Sequence, residues 1–266
     1  MISTARSILA LTVVAGATVV LAPWQVFSLK TGLGRGRRVP LLWHRLATRM
    51  LGVRIRVFGK IAQGRPLLIA SNHVSWLDIT VLGAVAEVSF IAKSEMSGWP
   101  VFGWLAKMQR SVFVERERRR KSGDQAGEIA GRLAGGDVMV LFAEGTTGDG
   151  NMLLPFKTTL FGAASMILSE SHHDEMWIQP VALAYTRLQG LPMGRQYRGL
   201  AAWIGDEDLV PHLKNVLREG AIDVEVHFGE PVAFNARSNR KEIARLAEAR
   251  VRDLLAGALA NPAPHS

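Results

Sequence analysis

The chain contains no cysteine. Disulfide scaffolds, thiolate nucleophiles and cysteine-ligated zinc are therefore excluded, and the composition is compatible with the cytosolic face of a cell. No Gly-x-Ser-x-Gly elbow occurs, which argues against a serine hydrolase. There is also no Walker-type phosphate loop, no internal repeat, and no zinc finger or ribonucleoprotein signature. Acid is the minority charge: 32 Lys and Arg stand against 23 Asp and Glu, leaving +9. With no nucleic-acid module present, that excess suits an anionic membrane surface or anionic substrates.

The 266 residues fit one domain of moderate size, or one domain plus an anchor, with ample apolar residue for a core. Ile8 to Leu29 carry no charge and are mostly apolar, which is long enough to cross a hydrocarbon core. Pro23 and Trp24 sit near the far end, where a kink and an interfacial aromatic are tolerated. A cleaved signal peptide competes, but its apolar region is usually shorter and ends in a small-residue cleavage site. Lys30, Arg35, Arg37 and Arg38 follow the run, against Arg6 before it. The positive-inside tendency then predicts a single-pass protein of the cell inner membrane with its body in the cytoplasm. Gly32 to Arg38 follows no strand, so it reads as a basic linker at the headgroups and not as a nucleotide loop.

From Pro40 onward helical and strand patterns alternate. Helices are predicted over 40–50, 76–86, 98–108, 122–134, 158–169, 209–218 and 238–258. Strands are predicted over 53–58, 66–70, 88–92, 111–115, 137–142, 177–183 and 222–228. This alternation predicts an α/β fold, a mixed sheet flanked by helices, with an N-terminal membrane-anchoring helix. The expected organisation is an anchor and linker over 1–39, one domain over 40–258, and a disordered tail over 259–266. The greasy run Trp99 to Leu105 is either core or a helix dipping into the membrane beside the site. The cluster Arg116, Arg118, Arg119, Arg120, Lys121 reads equally as a solvated face. His172-His173-Asp174-Glu175 reads as a polar loop, because adjacent histidines rarely chelate one ion. No metal and no cofactor is expected.

The most informative stretch is Asn72-His73-Val74-Ser75-Trp76-Leu77-Asp78. It follows the apolar run Pro66 to Ala70, so His73 sits where a strand ends, and sites in α/β folds collect there. A neutral imidazole there can take a proton from an alcohol, and a carboxylate can hold the ring in the right tautomer. Residues five apart point about 140° apart on an ideal helix. The pair therefore requires His73 in the turn before a helix and Asp78 in its first turn. Further blocks follow at other strand ends: Ile91 to Met96, Ser111 to Arg116, Asp137 to Gly150, and Trp177 to Ala182.

Taken together, in this order over roughly 66–182, these blocks resemble the glycerolipid acyltransferase family that includes the 1-acylglycerol-3-phosphate acyltransferases. The family's His-x4-Asp matches His73 and Asp78, and its Lys-x-Glu-Leu block matches Lys93 and Glu95, with Met96 for Leu. Its Phe-x-x-Arg block matches Phe113 and Arg116. Its Phe-Pro-Glu-Gly-Thr-Arg block matches Phe142, Glu144, Gly145 and Thr146. The resemblance implies a membrane enzyme that transfers a fatty acyl group from acyl-CoA or acyl-carrier protein to the hydroxyl of a lysolipid. It implies His73 and Asp78 as catalytic residues, and Lys93, Arg116, Glu144, Gly145 and Thr146 as substrate-binding residues, with Glu144 taking polyol hydroxyls and Lys157 a further phosphate contact. Ala143 replaces the family's usual Pro, and Thr147 its usual Arg, the residue generally read as touching the acceptor phosphate. The leading acceptor is 1-acylglycerol 3-phosphate, giving phosphatidic acid in phospholipid biosynthesis. The alternatives are another lysolipid such as a lyso-ornithine lipid, a catalytically silent membrane scaffold, and a thioesterase.

Overall fold

The computed structural model describes residues 2–33, 36–63, 66–114, 122–162, 175–205 and 207–264. Nine strands among them form one mixed sheet: β1 (Val53–Phe58), β2 (Leu67–Ser71), β3 (Val88–Lys93), β4 (Val112–Val114), β5 (Val138–Phe142), β6 (Glu175–Leu188), β7 (Leu191–Pro192), β8 (Ile222–Phe228) and β9 (Val232–Asn235). The order is β1-β8-β6-β2-β5-β3-β4, with β7 and β9 pairing to β6. β2 runs parallel to both β5 and β6, β5 to β3, and β3 to β4. All of β2 is buried, as a central parallel strand covered on both faces should be. The carboxyl ends of β2, β5, β3 and β4 therefore share one rim, and the blocks around His73, Lys93 and Glu144 lie there, whereas Trp177–Ala182 falls inside β6 and not at a strand end as expected.

The expected mixed α/β sheet with flanking helices is what the chain forms. The strands at 53–58 and 222–228 have the expected bounds. β6 is longer than expected, because its two halves find different antiparallel partners, β9 at Glu175–Ile178 and β8 at Val181–Leu188. β7 and β9 were not anticipated, being too short for an alternating pattern to register.

The helices are α1 (Ile2–Thr31), α2 (Arg38–Leu51), α3 (Leu77–Val85), α4 (Phe102–Met108), α5 (Ser122–Ala134), α6 (Arg195–Arg198), α7 (Leu209–Glu219) and α8 (Arg240–Ala260). Of the helix expected over 98–108, only α4 forms, and a short 3-10 turn, Ser94–Gly98, precedes it. Pro100 disfavours helical backbone at the preceding residue, and Val101 takes φ 63, so the chain must restart. Of the helix expected over 158–169, the 3-10 turn Thr158–Phe161 is described, and 163–170 lies outside the described residues. The tail expected to be disordered departs from that expectation over 262–264. Arg56 Nη1 and Arg187 Nε donate to the Ala263 carbonyl at 2.8 and 3.1 Å, and Ala263 N–H donates to Glu225 Oε1 at 2.8 Å. Those polar groups of β1, β6 and β8 need partners, and the tail backbone supplies them.

α1 contains the segment Thr4–Thr31, long and apolar enough to cross a membrane, with mean hydropathy 1.9 and only 6% of its apolar window buried. A core helix would be mostly buried, so this one presents its apolar side outward. It does not project away from the body. Arg6 donates to the Leu217 carbonyl, Trp43 Nε1 to Thr18 Oγ1 at 2.8 Å, and Gln25 Nε2 to the Met108 carbonyl at 2.6 Å. Of the Trp99–Leu105 run, Trp99, Val101, Phe102 and Trp104 are exposed beside α1, which is not the core placement. Both segments leave several large apolar side chains exposed, among them Ile8, Val19, Trp24, Trp99 and Trp104.

α2 and α3 approach at Gly83. A Cβ there would lie 2.4 Å from the His44 ring carbon Cδ2. His44 is buried, and burial pulls its pKa down to about 4, so a neutral ring fills the gap. Gly83→Ala should overpack this contact and destabilise the fold by about 1–3 kcal/mol. The check is the melting temperature in detergent. No drop would contradict so close an approach.

Candidate active site

β2 ends at Ser71, and α3 begins at Leu77. The connection between them holds His73 at the rim and places Asp78 in the first turn of α3, the arrangement the five-residue spacing required. His73 Nδ1 lies 2.8 Å from Asp78 Oδ2. The same Oδ2 accepts the backbone N–H of Val74 at 2.6 Å and of Ser75 at 2.9 Å, which folds the turn around the carboxylate. Oδ1 accepts the Tyr185 hydroxyl at 2.7 Å. Asp78 is fully buried, and four donors meet it. Burial, and then the Asp78 charge, push the Tyr185 hydroxyl well above its ordinary range, so it stays protonated and donates.

With its Nδ1–H given to Asp78, His73 carries its lone pair on Nε2. The ring plane is set by Phe142 at the end of β5, stacked on it with centroids 3.9 Å apart and planes at 12°. Phe90 of β3 stacks on Phe142 in turn at 5.9 Å. The imidazole is thus held by an acid on one edge and a wall of aromatic rings on one face.

Glu144, two residues past β5, is buried. Its Oε1 accepts the His73 backbone N–H at 2.6 Å and its Oε2 the Leu154 N–H at 2.7 Å. Both oxygens are thereby committed to backbone, so its observed work is to lock the loop after β5 against the His73 turn. Gly145 takes φ 72, which a side chain rarely adopts, and its N–H closes on the Phe142 carbonyl at 3.1 Å. Gly148 N–H donates to the His73 carbonyl at 2.8 Å, so the two loops are sewn together twice. Ala143 donates its N–H to Ser71 at 3.0 Å, a bond that the family's usual proline lacks the hydrogen to make.

Thr146 and Lys157 are exposed, and Thr147 is half-buried. Lys93 is exposed as the last residue of β3, two strands along the rim from His73. Arg116, like Arg118 to Lys121 and His172 to Asp174, lies outside the described residues. No group of three metal-ligating side chains occurs among the described residues.

Three contributors were not expected. Tyr185 lies on β6, 107 residues from Asp78, and nothing in its flanking sequence marks it. Asn72 pairs its amide with both backbone groups of Leu183, at 2.8 and 2.9 Å, clamping β6 to the end of β2. Its place beside His73 was a signal that carried no role. Trp203 donates its backbone N–H to the Val74 carbonyl at 2.9 Å, bringing the segment after α6 over the site.

A family model described as Acyltransferase matches residues 53–184. A lyso-ornithine lipid O-acyltransferase of Brucella abortus (strain 2308) is 56% identical over 97% of this chain and 97% of that protein. The chain belongs to the Acyltransferase family. A second lyso-ornithine lipid O-acyltransferase, from Rhizobium meliloti (strain 1021), is 51% identical over 91% of this chain and 83% of its own length. A 1-acyl-sn-glycerol-3-phosphate acyltransferase of Neisseria meningitidis serogroup B is 36% identical, but over only 47% of this chain and 51% of its own. The fold is shared with the 1-acyl-sn-glycerophosphate (LPA) acyltransferase PlsC of Thermotoga maritima, at TM-score 0.65 and 22% identity over 98% of this chain and 99% of that one. This member of the family is thus an acyltransferase of lysolipids, associated with membranes through an apolar N-terminal helix. The full-length likeness favours the lyso-ornithine alternative over phosphatidic acid formation as first expected.

Burial raises the Glu144 carboxyl from its ordinary 4.5 to about 7, opposed by the two N–H donors. Its ionisation therefore costs more in the folded chain than in the unfolded one. The associated stability is complete below pH 4.5 and is lost as pH rises through about 7, on the order of 3 kcal/mol at most. Relative to Glu144→Gln, which does not titrate, the unmodified protein should lose melting temperature between those limits and hold level above them. Parallel curves for the two proteins would refute this.

Proposed function

We propose that the protein O-acylates a lyso-ornithine lipid, moving a fatty acyl group from acyl-CoA or acyl-carrier protein to the acceptor's free hydroxyl. The observation that carries this reading is the likeness along nearly the whole chain to proteins named for that acceptor. Thr147 agrees with it, since a phosphate monoester carries close to two charges and calls for several fixed cations.

His73 acts as general base. Its Nε2 takes the hydroxyl proton as the oxygen attacks the thioester carbonyl, and the imidazolium then gives that proton to the leaving thiolate. The new ester bond forms as the thioester C–S bond breaks, and no covalent enzyme intermediate is needed because the donor is already activated. Asp78 holds the ring tautomer and balances the transient imidazolium, and Tyr185 and the two backbone N–H groups hold Asp78. Glu144 positions the His73 turn. Gly145, Thr146, Lys93 and Arg116 serve substrate binding, a role that rests on the resemblance for all four.

The division into an anchor and linker over 1–39 and a catalytic domain from 40 remains part of this reading. The exposed faces of α1 and of Trp99 to Trp104 enter the bilayer together, with α1 lying along the body. The first acidic residue of the chain is Asp78, so all that precedes it is neutral or basic and suits the anionic cytoplasmic leaflet of the inner membrane.

His73→Ala should cost about 10²–10⁴ in kcat while the protein stays folded. Tyr185→Phe, which removes one donor from Asp78, should cost roughly tenfold at most. Near-normal turnover by folded His73→Ala would sink the mechanism. The acceptor is tested by kcat/KM of the unmodified enzyme for lyso-ornithine lipid and for 1-acylglycerol 3-phosphate. The first should exceed the second, and Thr147→Arg should narrow the gap. A ratio favouring the phosphate acceptor would return the assignment to phosphatidic acid formation.

A further inference from the structure

Thr147 leaves the loop after β5 without the arginine usual at that place, yet the fold brings two other arginines to the same loop. Arg198, the last residue of α6, is 7% exposed. Its Nη1 donates to Asn151 Oδ1 at 2.7 Å, and its buried Nε has no hydrogen-bond partner among the described residues. Arg195, one turn earlier, is exposed, and its carbonyl accepts Asn151 Nδ2 at 3.2 Å. Asp149, also exposed, accepts from the Asn151 backbone and side chain at 2.9 and 3.1 Å and lies within electrostatic range of Arg195.

This cluster is tied to the His73 turn from two sides. Gly148 binds the His73 carbonyl, and a Cβ on Gly150 would sit 3.1 Å from Val74. On the other side, Ala202 N–H binds the Arg198 carbonyl at 3.1 Å, and the next residue, Trp203, binds the Val74 carbonyl. Burial lowers the Arg198 pKa, the neighbouring Arg195 pushes the same way, and only Asp149 opposes. Two like charges are thus held together with one of them desolvated, and an incoming anion would relieve that cost.

We propose that Arg195 and Arg198 form the headgroup subsite of the acceptor and bind the carboxylate of its ornithine. The inference rests on the lyso-ornithine reading above. A planar guanidinium matches a carboxylate fork for fork, and an ornithine joined to its fatty chain through the α-nitrogen presents that carboxylate together with a δ-ammonium. Asp149 at the exposed edge complements the ammonium and repels a second negative charge, so the patch reads a zwitterion and disfavours a phosphate monoester.

The test uses the full-length protein, a fixed acyl donor, and two acceptors: lyso-ornithine lipid and its derivative with the headgroup carboxyl converted to a primary amide. The unmodified enzyme should prefer the carboxylate form by about ten- to a hundredfold in kcat/KM, the range of one charge-assisted contact. Arg198→Gln and Arg195→Gln should each pull that ratio toward one by raising KM for the carboxylate form, with kcat for the amide little changed. Arg195 is exposed, so its variant folds. Equal use of both acceptors by the unmodified enzyme overturns the subsite while leaving the lyso-ornithine reading intact. So does an equal loss on both acceptors in the variants, since that is the mark of a merely structural arginine. Failure to acylate either acceptor defeats the lyso-ornithine reading itself, and the subsite with it.

Discussion

The site depends on one buried carboxylate. Asp78 has no exposed surface and collects a ring nitrogen, a phenol and two backbone N–H groups. Those donors come from two segments, the His73 turn and strand β6, and the carboxylate itself ties both to the start of α3. Removing the side chain would leave four donors without their acceptor, a cost of several kcal/mol if none finds another. The strand-to-helix turn is therefore locked in the one shape that aims the His73 ring, and the proposed base and the local stability draw on the same four bonds.

Glu144 repeats the device one strand over. It too is a buried carboxylate spent on backbone N–H groups, and it joins the loop after β5 to the turn after β2. Between them the two acids hold the rim with no metal-ligating cluster among the described residues. What lies around that rim differs in kind: exposed Lys93 and Thr146 toward solvent, the Arg195–Arg198 pair beyond the loop, and on the flank of the body the apolar face of α1 and Trp99 to Trp104. In the proposed reaction a lipid acceptor has to present its hydroxyl to His73 while its chain stays in an apolar phase, and a site with charged and polar side chains on one side and exposed apolar ones on another suits both demands.

Much of this is legible in the sequence. The apolar N-terminal run, the α/β alternation and the His73–Asp78 spacing are local patterns, and local patterns survive in a linear reading because they arise from the helix and strand periods themselves. The blocks around His73, Lys93 and Glu144 lie at strand ends for the same reason, since a buried parallel strand is an uninterrupted apolar word that stops at the rim, while Trp177–Ala182 lies inside β6 because that strand continues along β8. The acceptor was the weakest inference. A single substitution, Thr147, said that the phosphate contact was missing, and said nothing of what stood in its place.

Chain order alone thus determined the class of fold, the pairing of His73 with Asp78, and the long apolar N-terminal helix. The tertiary structure decided what holds the pair and what surrounds it. Tyr185 reaches Asp78 across 107 residues, Asn72 clamps Leu183 across 111, and Arg198 meets Asn151 across 47. It also decided that Glu144 serves backbone, that Trp99 to Trp104 faces outward, and that the tail docks at Ala263. Such facts are set by which strands pair in the sheet, and a parallel sheet joins strands far apart in sequence. No periodicity within a window of residues can report a hydrogen bond whose two ends are brought together only by that pairing.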